Sequence, residues 1–322
     1  MDVTVIICAY TEERWQDLLE AAASVQRQTL PARQLIVVID NNPPLLARAR
    51  AHLPFATVVE NAGARGLSGG RNTGIALAEG EIVAFMDEDA CAEPGWLEML
   101  TAPYRDPDVM GVGGRVMPLW EGGRPAWFPE EYDWVVGCTH RGAQETAGPV
   151  RNFIGCNMSF RRSVFAAAGT FTAEFGRIAA FPISCDDTEF CIRLRQQLPG
   201  AVLLYEPRAR VLHRVPARRA TWSYFRLRCY AEGISKAQVT RFVGANDGLA
   251  SERTYVMRTL PASVRSKLKT FLLDFDQAAG AGAGAMIGGL AITAAGYVRG
   301  RWQQQAPLLW GRGPRPRAEE AA

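Results

Sequence analysis

The sequence has little of what would mark a specialised class of protein. Its 322 residues carry 36 Lys and Arg against 33 Asp and Glu, a formal net charge of +3. A nucleic-acid binder concentrates a basic face, and so small an excess does not supply one. Cysteine occurs seven times, at Cys8, Cys91, Cys138, Cys156, Cys185, Cys191 and Cys229, never in CxxC spacing. An odd, scattered set supports neither a zinc ribbon nor a disulfide framework, and reduced thiols in a cytoplasmic compartment are the simple reading. Histidine is scarce, with only His52, His140 and His213. There is no bias towards disorder, since 48% of residues are hydrophobic and 21% charged, which suits a folded chain. The opening MDVTVIICAY has no basic stretch ahead of its apolar run, so a secretory signal is not expected.

Long hydrophobic runs are also nearly absent. The exception is 278–298, AAGAGAGAMIGGLAITAAGYV, 21 residues without a charge. Its length suits a bilayer span, but Ala and Gly give little insertion energy. A linker, a packed helix and a membrane-associated helix are all compatible with it. Gly280, Gly284 and Gly288 fall at four-residue spacing, which allows close helix approach. Arg265, Lys267 and Lys269 precede the run and Arg299 and Arg301 follow it, a placement that suits anionic headgroups. Residues 299–322 read as a basic disordered tail.

What is present is an alternation of short apolar runs and helical patterns. Residues 3–8, 34–39, 57–60, 81–86 and 109–117 read as strands; 12–28 and 71–78 read as helices, and another starts at Pro94. Such alternation predicts an α/β fold with a mainly parallel sheet. Ligands in these sheets bind beyond the carboxyl ends of the strands, so the residues that follow each strand matter most. After the first come Ala9, Tyr10, Thr11 and Glu12. After the second comes Asp40-Asn41-Asn42-Pro43-Pro44, which by itself reads as a turn. After the third comes the Gly-rich stretch 61–72, which ends in Arg71-Asn72 and matches neither a Walker loop nor GxGxxG. After the fourth comes Asp87-Glu88-Asp89. A ring, an acid, Gly-rich backbone, an arginine and paired carboxylates along one edge suit a nucleoside diphosphate with an oxygen-loving divalent cation.

The series VTVIICAY, VVIDNN, GLSGGRNTG and VAFMDEDA resembles glycosyltransferase family 2, over about residues 2–245. The resemblance implies a Rossmann-like GT-A fold, a nucleotide-sugar donor and Mn²⁺ or Mg²⁺. Asp87-Glu88-Asp89 would be the DXD-type triplet, with Asp89 on the metal and Asp87 and Glu88 toward the sugar nucleotide. Ala9, Tyr10, Glu12 and Asp40 would lie around the nucleobase, with Arg71 facing base and ribose. The segment 152–162 resembles the family's acceptor loop, which implies acceptor contacts at Gly155 and Asn157. Cys185-Asp186-Asp187 resembles its Glu-Asp motif, with Asp186 in place of Glu on the acceptor side and Asp187 as general base. His213, in a strand-like run, would complete the metal shell.

The implied organisation is a GT-A domain over 1–245, with a nucleotide-sugar half at 1–116 and an acceptor half at 150–215. A helical extension follows at 246–277, then the possible membrane-associated helix 278–298 and the tail 299–322. The basic, aromatic stretch 218–241 reads as a helix that covers the sheet, or as a phosphate-binding acceptor surface facing a membrane. Its 228–237 segment resembles transferases acting on lipid-phosphate-linked sugars, including glucuronosyltransferases. A processive Gln-x-x-Arg-Trp motif is missing, which favours transfer of single sugars. The expected acceptor is a glycan, a lipid-phosphate-linked glycan or a small metabolite, the hydrophobic C-terminal segment favouring the first two, with peripheral or single-span membrane contact at the inner face of the cell membrane. A sugar nucleotidyltransferase and a non-catalytic membrane-associated nucleotide-sugar-binding protein are the rival readings.

Overall fold

The computed structural model describes residues 1–173, 185–244 and 250–305. Of the expected extension and tail, 246–249 and 306–322 lie outside the described residues.

The first strand, β1 (Val3–Ala9), is buried along its whole length, as a β-branched run covered on both faces must be. Thr11 then caps a 3-10 turn over Glu12–Arg14, its Oγ1 accepting the Glu13 N–H at 3.3 Å. Helix α1 (Trp15–Gln26) follows and buries Trp15, Leu18 and Val25. After β2 (Gln34–Ile39) the expected turn proves to be the start of a helix, α2 (Pro43–His52). Asn42 Oδ1 accepts the Leu45 N–H at 3.1 Å and Pro43 occupies the first turn. Asn-Pro-Pro is a helix-start signal as much as a turn signal.

β3 (Thr57–Glu60) leads to α3 (Leu67–Leu77). This helix begins four residues ahead of the expected 71, because Gly66 at φ +116° turns the chain into it. β4 (Ile82–Asp87) and β5 (Ala90–Ala92) follow, then α4 (Trp96–Thr101), which begins after Pro94 rather than at it. The rest of the domain comprises β6 (Val109–Trp120), β7 (Gly148–Pro149), β8 (Met158–Arg161), α5 (Ser163–Ala168), α6 (Asp186–Gln197) and β9 (Val202–Val215).

Among the described residues the strands form one sheet in the order β3-β2-β1-β4-β8-β6-β9-β5, with β7 on β9. The half built from β3, β2, β1 and β4 is parallel. β8 enters antiparallel between β4 and β6, after which β6 and β9 run parallel. One face buries Trp96, Leu18 and Met86. The other buries a ring cluster of Phe85, Phe153, Phe160, Phe165, Phe171 and Phe190. Each such ring removed from water contributes roughly 2–3 kcal/mol.

The C-terminal part is helical: α7 (Trp222–Val243), α8 (Ala250–Thr254), α9 (Leu260–Asp274) and α10 (Gln277–Gln305). The irregular 117–150 stretch bolts these helices to the sheet. Its Trp127, Phe128 and Tyr132 pack on Phe225 of α7, and Tyr132 Oη donates to the Met286 carbonyl at 2.9 Å. α10 lies on α7 through glycine; of the row seen in the sequence only Gly288 meets α7, at ordinary contact distance from the Trp222 ring. A Cβ on Gly296 would overlap the Tyr230 carbonyl oxygen, and one on Gly233 would overlap that of Thr293. Gly284 faces open space and Gly280 packs on Phe271.

Candidate active site

β4 ends at Asp87 and β5 starts at Ala90, so Asp87-Glu88-Asp89 is the corner between two strands. β5 pairs with β9 so that Ala90 lies opposite His213. That register brings an imidazole from over a hundred residues away to the acidic corner. His213 Nε2 stands 3.2 Å from Asp89 Oδ1, and ligand-capable atoms of Asp87, Asp89 and His213 lie within 4.8 Å of one another. Two carboxylates and one imidazole converging in this way fit a hard or borderline divalent cation.

Glu88 turns away from this group. Its Oε1 accepts from Arg14 Nη1 at 2.7 Å, and the same Nη1 lies 3.0 Å from Asp89 Oδ2. Arg219 Nη2 approaches Asp89 Oδ2 at 3.5 Å. Burial pushes the Glu88 carboxyl up to about 7, against the pull of Arg14. Burial would also raise Asp89, but His213, Arg14 and Arg219 outweigh it and hold Asp89 well below the usual carboxylate range. Burial works to lower His213, and Asp89 reverses this and raises it to about 10.

At the carboxyl end of β2, Asp40 Oδ1 accepts from Asn61 Nδ2 at 2.6 Å and its Oδ2 accepts the Gly66 N–H at 3.0 Å. It thereby ties the Gly-rich loop to the end of β2. Ala9 is the buried last residue of β1. Tyr10 is exposed, with the Arg14 guanidinium 5.9 Å from its ring centre. Glu12 is exposed and pairs with Arg48 at 3.8 Å. All four stand along the carboxyl edge of β1 and β2, outside the walls of the main cavity.

Arg71, only 2% exposed, is the tie between the two halves. Its Nη1 donates to Asp186 Oδ2 at 2.7 Å, its Nη2 donates to the Gly155 carbonyl at 3.0 Å, and Nη2 lies 3.5 Å from Asp87 Oδ1. The acidic corner and the start of α6 are therefore one guanidinium apart. Asp187 Oδ2 accepts the Gly155 N–H at 2.8 Å and its Oδ1 accepts the Thr188 N–H at 2.6 Å. Burial and the neighbouring Asp186 raise the Asp187 carboxyl to about 6. A side chain at 155 would crowd both Arg71 and Asp187 and push their charged ends aside. Asn157 is not brought to the site. It is fully buried, its Oδ1 accepts from Trp96 Nε1 at 2.8 Å, and its Nδ2 donates to the Arg115 and Ala209 carbonyls.

Arg71, Asp87, Asp187 and His213 line one end of a cavity of about 890 Å³, a size that holds a drug-sized or larger ligand. Residues of α7, α8 and α10 also line it, among them Arg228, Lys236 and Glu252. There Lys236 Nζ pairs with Glu252 at 2.7 Å and Glu232 at 3.4 Å, and Arg151 Nη1 pairs with Glu252 at 2.8 Å. Sequence reasoning marked the basic 218–241 stretch as a whole but missed Arg14, Arg151, Arg219 and Glu252 as members of the site. The local signal for Arg14 was its place just after β1; Arg219 lay inside the marked 218–241 stretch, but nothing local pointed it at Asp89.

Residues 4–169 match the family model described as Glycosyl transferase family 2. The chain is 35% identical over 240 residues to glucosyl-dolichyl phosphate glucuronosyltransferase of Haloferax volcanii, covering 73% of this chain and 76% of that protein. It is 25% identical over 242 residues to succinoglycan biosynthesis protein ExoM of Rhizobium meliloti, covering 72% and 73%. In fold it resembles mannosyltransferase PcManGT from Pyrobaculum calidifontis, solved with GDP-Man and Mn²⁺. The TM-score is 0.58 at 20% identity, over 94% of this chain and 87% of that one. It also resembles GalNAc-T7, solved with UDP, GalNAc and Mn²⁺, with a TM-score of 0.52 at 18% identity over 79% and 54%. The architecture is thus that of the GT-A glycosyltransferases.

Proposed function

This chain belongs to glycosyl transferase family 2 and is a transferase enzyme, and within that family we propose that it is a metal-dependent, inverting glycosyltransferase. The donor is a UDP-linked sugar and the acceptor a hydroxyl of a lipid-phosphate-linked glycan. The catalytic domain spans 1–245 and works in the cytoplasm at the inner face of the cell membrane. The observation that carries this reading is the Asp87–Arg71–Asp186 chain. Through it the acidic corner and the candidate base Asp187 line one cavity.

Inverting transfer is a single displacement at the anomeric carbon. The acceptor hydroxyl is a weak nucleophile at neutral pH, and an aligned carboxylate takes its proton as the new bond forms. Asp187 fits that role. Two backbone N–H groups fix its orientation, and its raised basicity suits a proton acceptor near pH 7. Asp87, Asp89 and His213 would hold Mn²⁺ or Mg²⁺, which supplies charge stabilisation to the departing diphosphate. Arg14 and Arg219, both within 3.5 Å of Asp89, add positive charge on that side. Ala9, Tyr10, Glu12 and Asp40 border the nucleobase, and Gly155 and Asp186 border the acceptor.

Two features support a lipid-phosphate acceptor. The relative from Haloferax volcanii is named for a dolichyl phosphate substrate. The same cavity is lined by the cations Arg151, Arg228 and Lys236 beside Glu232 and Glu252, with Leu290 as apolar wall. The test is a thermal-shift and calorimetric screen of UDP-, GDP- and dTDP-sugars, each with Mn²⁺ and with chelator. It is followed by turnover of Asp187→Asn. Metal-dependent binding of UDP-sugars is expected, and Asp187→Asn should keep that binding while losing about 100-fold or more in turnover. Unchanged turnover would exclude Asp187 as the base, and no donor binding would sink the transferase reading.

A further inference from the structure

The hairpin formed by α9 and α10 presents an outer face unlike the rest of the surface. Along α10, Ala281, Gly284, Ile287, Ala291, Val298 and Trp302 are exposed. They recur at three- to four-residue steps or multiples of them, so they share one side of the helix. On α9, Leu272 and Leu273 are 67% and 65% exposed, and Phe275 in the turn is 82% exposed. An apolar strip of this length on two adjoining helices marks an interaction surface. Its edges are basic apart from the exposed Asp274 and Asp276, which flank Phe275 in the turn. Arg258, Arg265 and Lys269 are exposed, as are Arg299 and Arg301 at the far end, and no acid falls between Arg253 and Asp274. No ion pair engages Arg258, Arg265 or Lys269 among the described residues.

The inner face of α10 decides how such a surface can meet a bilayer. α10 has the length and composition of a membrane span, but a third of its apolar window is buried in the protein. The contact runs along α7, with Gly296 and Gly233 set against opposing backbone. α7 itself carries Arg226, Arg228, Glu232, Lys236 and Arg241. If α10 crossed the hydrocarbon while so packed, α7 would enter with it, and charges at that depth are strongly disfavoured.

We propose that the outer face of the α9–α10 hairpin is a docking surface for an anionic bilayer, lying flat at the headgroup boundary without crossing it. The basic rim pairs with anionic headgroups and the Leu, Ile, Phe and Trp side chains enter the acyl boundary. This goes beyond the transferase reading and uses none of its site residues.

The experiment is flotation of the full chain with vesicles, without donor or acceptor, so its outcome is independent of catalysis. The vesicles are phosphatidylcholine alone or equal parts phosphatidylcholine and phosphatidylglycerol. Binding to the anionic vesicles is expected, weakened by salt and at least about tenfold weaker on phosphatidylcholine. The exposed double variant Leu272→Glu/Leu273→Glu should float about tenfold less while keeping its melting temperature and UDP binding. In a second arm, Gln277→Cys and Gln303→Cys, exposed near the two ends of α10, are labelled from outside sealed vesicles by an impermeant maleimide, and label is mapped by mass. Both positions should label. Protection of either one would show a crossing, and flotation of the double variant like the parent would place the contact elsewhere. A homodimer in solution that the double variant breaks, with no vesicle binding, would assign the face to a second copy. Any of these three results overturns the proposal.

Discussion

Neutralising Asp187 should stabilise the protein as it removes the activity, and the size of that effect depends on pH. The folded protein raises this carboxyl from the usual 3.8 to about 6, by burial first and by Asp186 second. A raised acid favours folding only while it stays protonated. The penalty therefore accumulates between pH 3.8 and 6 and is complete above the folded value, where it amounts to about 3 kcal/mol. Asp187→Asn removes it. The amide has one oxygen for two N–H donors, those of Gly155 and Thr188, and the donor left facing an amine costs about 1 kcal/mol. The net gain at pH 8 is about 1–2 kcal/mol, or roughly 2–4 °C in melting temperature for a chain of this size. At pH 5 about half of the penalty is still present, because the unfolded carboxyl is ionised there, and the gain should fall to about 0.5 kcal/mol. The assay is differential scanning calorimetry of the parent and Asp187→Asn in chelator at pH 5, 6.5 and 8. The parent's kcat/KM should in parallel fall about tenfold per pH unit below 6. A melting difference of constant size across these pH values would refute a raised, buried base at this position.

Three further outcomes follow from the same geometry. Asp89→Ala should abolish Mn²⁺ binding by calorimetry together with activity, and full activity of the parent in chelator would retire the metal site. Arg71→Met leaves the buried Asp186 carboxylate without its cation and should cost about 3–5 kcal/mol. Adding Asp186→Asn should recover a large part of that loss in urea denaturation, and strictly additive losses would show that the pair is not coupled. Gly296→Val forces a side chain into the Tyr230 carbonyl and should lift α10 off α7. Limited proteolysis near 275–277 should then speed up while UDP binding persists; unchanged proteolysis would mean the helices are not held there.

The alternation of buried strands and helices was legible along the chain. A strand covered on both faces needs a nearly continuous apolar run, and 3–8, 35–39 and 82–86 have one, broken only by Thr4. Because ligands gather at the carboxyl ends of such strands, Asp40 and Asp87-Glu88-Asp89 could be singled out before any contact was known. The sequence by itself thus determined the parallel half of the sheet and the placing of the acids at its edge. It also carried the family resemblance that names Asp187. What it could not hold was pairing across distance. His213 reaches Asp89 only because β5 registers against β9. Glu88 is turned aside only because Arg14 reaches it from the β1–α1 loop. Arg71 reaches Asp186 across 115 positions and links it to Asp87, and no local period encodes such a link. Asn157 looked like a pocket residue, but three hydrogen bonds hold it inside. For the uncharged helix near the C-terminus, composition left span, surface and core all open. Tertiary packing settled which side is covered, because two glycines let the backbones of α7 and α10 touch along one face and leave the other bare.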